Sequence, residues 1–354
     1  MVKRERQSNI ELLRIIAMMG VIVLHYNNPE IGGGLLLASG VNKGILIILE
    51  SIFICGVNLY MLISGYFLCS SNNRKLEKPA ELLVQVILFH VGFYILGILM
   101  GNYTFSVIGL LGSMVPNNYF VILYIVCFLI SPYVNVVFHN IGKKQSLRLL
   151  VLLGGVFSIW PTIVDVLKEL TRKEWDGLSS IGISGSQNGY TIVNFILMYC
   201  IGAYLRMYME KDFRFSALLV VWGVVVALLC GWTVLNSIHG IVGGSAWAYC
   251  NPLVIAEAII LFLLFKKIQL KDHGGINTLA KGSFTVYLLH TAFLGYIKIP
   301  EAVQASPGFL LLHIFLAAVV IYLICFLCYI IYEKITRPVF RWLETKWSFT
   351  LKVE

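Results

Sequence analysis

The chain alternates long apolar runs with short polar loops, and the lengths of those runs set the fold class. A stretch of roughly 17–25 mostly apolar residues is long enough to cross the hydrocarbon core as a helix. Such stretches fall at about 9–27, 44–69, 82–101, 118–138, 147–167, 190–209, 215–237, 249–265, 282–300 and 308–332. Backbone polar groups in lipid must be satisfied within their own segment, so runs of this length are read as helices. The pattern predicts an all-α polytopic membrane protein of about ten transmembrane helices, one integral membrane domain over residues 1–354. The apolar piece 104–115 (TFSVIGLLGSMV) is too short to span and is expected to cap the bundle or re-enter it.

Composition agrees with that pattern. Hydrophobic residues make up 58% of the chain, charged residues 13%, and the mean hydropathy is +0.83. An ordinary soluble domain carries about twice that charged fraction. The net charge of +9 first suggests an anionic partner, but its placement describes topology instead. Basic groups cluster before the first run (Lys3, Arg4, Arg6), after the second (Arg74, Lys75, Lys78), near the ends of the fourth, sixth and eighth, and after the last. The alternate loops hold only Lys43, Lys168, Arg172, Lys173 and Lys298. Positive-inside asymmetry then puts both termini in the cytoplasm, and no nucleic-acid partner is expected. The basic, apolar start lacks a small-residue cleavage site, and Glu11 and Arg14 interrupt it, so it reads as an uncleaved helix. Cys325 and Cys328 lie inside the last run and read as packing, and no zinc-ligand spacing is present, so no metal is expected.

The candidate chemistry starts in the first run, NIELLRIIAMMGVIVLHYNN, which keeps Glu11, Arg14 and His25 in an otherwise apolar helix. On a helical wheel Arg14 and His25 return to within about 20° of one another, and Glu11 lies about 60° and 40° from them. Intramembrane charges sharing one stripe face protein or water rather than lipid. Along the axis Arg14 and His25 are roughly 16 Å apart. A stripe running from a cation to a deeper histidine suits a substrate with an anionic head and a long thin arm, the shape of an acyl-coenzyme A. Glu11 is too far from His25 to touch it and is expected to pair with Arg14.

These residues resemble a known family. The segment SNIELLRIIAMMGVIVLHY looks like the first-helix signature of the acyltransferase-3 family of integral membrane acyltransferases, which commonly O-acetylate cell-surface polysaccharides. In the expected order follow GVNLYMLISGYFL (56–68), YFVILYIVCFLISPYVN (119–135), GYTIVNFILMYCIGAYLR (189–206) and GSFTVYLLHTAFL (282–294). The resemblance implies transfer of an acyl group, usually acetyl, from cytoplasmic acyl-CoA to an acceptor at or beyond the outer face. It implies a catalytic role for His25 and a donor-side role for Arg14. Many members carry an Arg-x-x-Arg pair before the third helix. Here NNRKLEKPAEL offers Arg74, Lys75 and Lys78 instead, which keeps charge near the place where CoA phosphates are expected but loses the bidentate fork of a second arginine. Ordinary positive-inside charge explains these residues equally well.

Transfer from a thioester to a hydroxyl needs a base, a hold on the donor and a stabiliser for the oxyanion. His25 is the expected base. Direct attack by the hydroxyl and an acyl-histidine intermediate both fit. Ser283, Tyr287 and His290 share a face of the ninth run and are further candidates for lining the cleft, as is Glu257, an acid inside NPLVIAEAIILFLL. His90 and His313 read as packing, and Trp175, in the long polar loop 168–189, is a candidate for stacking on a sugar. The expected partners are membrane lipid, acetyl-CoA as donor, and a polysaccharide or lipid-linked sugar as acceptor. The expected location is a bacterial cytoplasmic membrane. A transporter or flippase of a lipid-linked precursor is the competing reading, although no internal repeat is seen. A lipid-dependent glycosyltransferase would want an acidic pair in the first outer loop, which holds only Glu30.

Overall fold

The computed structural model describes residues 7–346 and 349–353, so Lys3, Arg4 and Arg6 lie outside the described residues. In chain order the elements are α1 (Ser8–Asn27), α2 (Gly34–Leu37), α3 (Gly40–Phe53), α4 (Gly56–Leu68), β1 (Asn73–Lys75), α5 (Glu77–Leu99), α6 (Val107–Ser113), α7 (Tyr119–Gly154), α8 (Trp160–Thr171), α9 (Ile192–Tyr208), α10 (Phe215–Ile238), α11 (Pro252–Lys267), α12 (Gly274–Lys281), α13 (Ser283–Leu294), α14 (Ile299–Gln304), α15 (Pro307–Lys346) and β2 (Thr350–Lys352). The protein is an all-α polytopic membrane protein. Among the described residues, seven helical runs are long and apolar enough to cross a membrane, and two shorter apolar helices, Ile192–Tyr208 and Ser283–Leu294, accompany them.

Two runs end or break where the sequence reads them as continuous. The run 44–69 is two helices, α3 and α4, divided at Ile54 and Cys55, and α13 stops at Leu294 rather than reaching residue 300. The runs at 118–138 and 147–167 are separated as expected, by a break at Gly142, and the second passes through a single π turn at Gly155–Ile159 into α8. The chain changes direction inside α7 at Gly142, whose φ of 72° is open to a residue without a Cβ. The short piece at 104–115 is α6, with none of its residues buried.

Helices in lipid gain little from apolar burial, so close approach and hydrogen bonds hold them together. The tightest pairing is α4 with α9, where Gly65 lies on the Tyr199 carbonyl and Gly202 on the Leu62 carbonyl. A Cβ at either glycine would strike backbone. α1 lies at the centre, packed by α3, α4, α11, α12, α13 and α15. Two apolar cores flank it, one built on α4, α9 and α11, the other on the distal half of α1 with α13 and α15. Tyr60 and Trp247 pack against both.

Past α4 the chain forms β1, which pairs antiparallel with β2 from the far C-terminus, Arg74 opposite Leu351 and Lys75 opposite Thr350. The clasp is extended by Leu76 N–H to the Phe349 carbonyl at 3.0 Å and Phe349 N–H to Glu77 Oε1 at 3.2 Å. It holds the basic loop at one end of the bundle.

Candidate active site

Near its start, α1 presents Glu11 and Arg14 one turn apart. Arg14 Nη1 donates to Glu11 Oε2 at 3.0 Å, and the guanidinium lies 5.8 Å from the centre of the Tyr60 ring. The Tyr60 hydroxyl reaches back to the Arg14 carbonyl at 2.6 Å, tying α4 to α1. From here a cleft of about 700 Å³ runs between α1, α4, α7 and α13. Arg14, Lys75 and Lys78 bound its basic end; Tyr60, Phe120, Tyr124 and Phe128 form aromatic walls; Val21 and Tyr287 stand towards the other end.

One helical turn beyond Val21 and Tyr287 the structure brings together two histidines that are 265 positions apart in sequence. His290 Nε2 lies 3.1 Å from His25 Nδ1, with the rings edge to face at a centroid distance of 4.6 Å. Each ring also turns its Nδ1 to the carbonyl one turn earlier on its own helix, His25 to Val21 at 2.9 Å and His290 to Val286 at 2.9 Å. A carbonyl only accepts, so in the neutral pair both Nδ1 atoms carry the proton. His290 Nε2 is then a bare acceptor for His25 Nδ1–H. His25 Nε2 keeps its lone pair and, among the described residues, makes no hydrogen bond. A proton arriving there gives an imidazolium whose Nδ1–H already has two acceptors. His290 is buried and His25 half-buried, so the nitrogen with the free lone pair belongs to the more accessible ring.

The other candidates separate clearly. Tyr287 lines the cleft, its hydroxyl donating to Asn118 Oδ1 at 2.6 Å and its ring centroid 6.3 Å from that of His290. Ser283, two turns earlier on α13, is buried against the Tyr322 hydroxyl at 3.1 Å and stays at the basic end. Glu257 is fully buried away from this cleft, its carboxyl facing the Cys55 thiol and the Trp222 indole beside a second, wholly apolar cavity of about 220 Å³. Lys75 and Lys78 are exposed at the mouth, Lys78 paired with Glu81 at 3.1 Å.

Arg74 is different in kind. It is 2% exposed, and every N–H of its guanidinium is used on the protein: Nε on Ser131 Oγ at 2.8 Å, Nη1 on the Ser71 and Asn73 carbonyls at 2.6 and 3.0 Å, Nη2 on the Leu68 carbonyl at 3.0 Å and the Tyr199 hydroxyl at 3.4 Å. Its charge stands in the cleft wall, but its hydrogen bonds hold the β1 loop to α4, α7 and α9.

Two residues that the sequence reading did not place in a site take part in polar contacts. His313, expected to be packing, shares a hydrogen bond through Nδ1 with the Tyr26 hydroxyl at 3.0 Å. Glu50, an acid inside the apolar stretch GILIILESIF, accepts from Asn27 Nδ2 at 2.8 Å. The same rule that singles out Glu257 applies to Glu50, an ionisable side chain in an apolar run. Trp175 is 38% exposed and donates to Thr171 Oγ1 at 2.9 Å.

A comparison with curated proteins and another with solved structures return no match. The family comparison does. Residues 7–332 match the model of the acyltransferase-3 family, described as an acyltransferase domain, so the chain belongs to that family and is an integral membrane acyltransferase.

Proposed function

We propose that the protein is an O-acyltransferase that takes an acetyl group from cytoplasmic acetyl-CoA and delivers it to a hydroxyl of an envelope or capsular polysaccharide, or of its lipid-linked precursor. The observation that carries this reading is the cleft joining Arg14, Lys75 and Lys78 to the approach of the His25–His290 pair. The basic end suits the phosphates of the donor, with Arg14 oriented by Glu11 and the loop of Lys75 and Lys78 fixed by Arg74. The aromatic walls suit the slender arm, and the thioester is carried towards Val21 and Tyr287. His25 Nε2 takes the proton from the acceptor hydroxyl as its oxygen attacks the thioester carbonyl. The C–S bond breaks, the acetyl group passes to oxygen, and the proton on His25 goes to the departing thiolate. His290 is a positioning residue here: it fixes the His25 tautomer and accepts from the imidazolium, the part an acidic residue takes in the serine-hydrolase triad. The location that follows is a bacterial cytoplasmic membrane.

The test is the O-acetyl content of the surface polysaccharide in wild-type cells, a deletion strain, and the deletion complemented with His25→Ala. The expected outcome is polymer present and acetyl absent in both mutants, with the variant protein at normal abundance. Loss of the polymer itself would favour a transporter or glycosyltransferase, and undiminished acetylation in the deletion would refute the reading. In purified protein, His25→Ala is expected to lower transfer about 10²–10⁴-fold at unchanged acetyl-CoA affinity. His290→Gln is expected to lower kcat and to shift the pH profile of the reaction. An acetyl label surviving on His25 in the absence of acceptor would mark the acyl-histidine route over direct transfer.

A further inference from the structure

The family match ends at residue 332, yet the chain beyond it returns to the mouth of the donor cleft. α15 runs on to Lys346, and β2 pairs antiparallel with β1, which joins α4 to α5. Leu76 N–H donates to the Phe349 carbonyl at 3.0 Å, and Phe349 N–H donates to Glu77 Oε1 at 3.2 Å. Both bonds fall at the seam between β1 and α5. Lys75 stands just before that seam and Lys78 just after it, and both line the cleft. Hydrogen-bonded pairs alternate along an antiparallel ladder, so the bond from Leu76 to Phe349 makes Arg74 with Leu351 the next such pair. Asn73 with Lys352 and Lys75 with Thr350 are then the non-hydrogen-bonded pairs, and all four residues are exposed.

α5 is the long helix least held by the bundle. Only 17% of its apolar stretch is buried, the smallest share among the seven long runs of the described residues. Lys78, Pro79, Glu81 and Leu82, all in its first turns, nevertheless form one side of the cleft. Farther along, Gln85 Nε2 donates to Thr285 Oγ1 of α13 at 2.7 Å, and the Phe89 ring packs against Tyr332 of α15. Those contacts fix its middle. At its start, Leu76 occupies the N-cap position and offers no side-chain cap. The Arg74 guanidinium ties the loop inward to α4, α7 and α9, and none of its hydrogen bonds reaches α5. β2 supplies two hydrogen bonds where the Arg74 ties stop. A ladder of two short strands is marginal on its own, so this pairing is also the part of the cleft mouth most easily released.

We propose that β2 is a positioning element for the donor. Paired with β1, it holds the start of α5 so that Lys75 and Lys78 stand together at the cleft mouth and meet the phosphates of acetyl-CoA. The proposal rests on the acyltransferase reading and adds to it a part of the chain outside the family domain. The experiment measures equilibrium binding of radiolabelled acetyl-CoA to the full chain in detergent, with the thermal midpoint recorded for each variant. Leu351→Pro removes a ladder N–H and keeps Lys352, and deletion of residues 347–354 removes the strand altogether. Each is expected to raise the acetyl-CoA Kd about four- to ninefold at low salt, the product of two exposed cations at about two- to threefold each, with the thermal midpoint nearly unchanged. In the Leu351→Pro background, Lys75→Gln and Lys78→Gln are expected to have no further effect. Asn73→Cys with Lys352→Cys places two thiols across a non-hydrogen-bonded pair. Oxidised, this disulfide is expected to restore wild-type affinity to Leu351→Pro, and reduction to remove it again. An unchanged Kd in both clasp variants, full additivity of the lysine substitutions with Leu351→Pro, or weak binding that the disulfide does not recover would each overturn the proposal. So would weak binding accompanied by a large fall in thermal midpoint, which would make the strand a structural tie. Failure of the wild-type protein to bind acetyl-CoA would instead refute the donor reading beneath it.

Discussion

Arg14 and Arg74 stand in the wall of one cleft, and the protein holds them in opposite ways. Arg74 is enclosed, with five hydrogen bonds to the protein, three of them to main-chain carbonyls, two in the loop it fixes and one at the end of α4. Arg14 keeps 32% of its side chain exposed; among the described residues its guanidinium hydrogen-bonds only to Glu11, which leaves donors turned to the cleft. A buried cation whose donors are all spent is a structural tie, because releasing it for a ligand would break its hydrogen bonds inside a buried wall. A cation oriented by one carboxylate and open on its other side is free to meet an anion. Charge and proximity to a cleft therefore do not identify a ligand residue; the accounting of its hydrogen bonds does.

The comparison can be broken most easily at Arg74. Arg74→Ala removes five hydrogen bonds from a buried wall and is expected to cost about 3 kcal/mol or more, read as a lowered thermal midpoint and poor yield in detergent. Arg74→Lys should not rescue it, since an ammonium cannot reproduce the planar fork. If Arg74→Ala folds normally and only weakens donor binding, the two arginines are alike after all. Arg14→Ala is the next largest effect. It is expected to raise the acetyl-CoA KM about 10–100-fold through the loss of a charge-assisted contact, with the thermal midpoint nearly unchanged. A large fall in stability with unaltered KM would reverse the assignment. The smallest effects belong to Lys75→Gln and Lys78→Gln, exposed at the mouth, where each is expected to raise the KM about two- to threefold. Those differences should shrink as salt is raised from 50 to 300 mM, because exposed charges are screened.

The His25–His290 pair carries a related lesson about sequence. Both histidines are visible there as polar points on inward helix faces, and His290 shares its face with Ser283 and Tyr287. The face is real, but its three residues have separate tasks: Ser283 bonds Tyr322, Tyr287 bonds Asn118, and only His290 reaches His25. Helical spacing tells which side chains point the same way. It does not tell how far along the axis the partner helix offers a matching group.

The sequence by itself determined that this is an all-α membrane protein, where its apolar runs lie, and that α1 carries a polar stripe from Glu11 and Arg14 to His25. Those properties are local: apolar length, the helical repeat and the cost of a charge in lipid all act within one segment. The tertiary structure decided what each polar residue meets. It broke the second run at Ile54 and Cys55, bent α7 at Gly142, used up Arg74 in the β1 loop and placed Glu257 beside an apolar cavity. It also set His290 against His25, and Glu50 against Asn27. Each of these outcomes depends on which helices become neighbours and at what height. In a bilayer that is settled by close packing and by the pairing of buried donors with acceptors, terms that exist only once two helices have met.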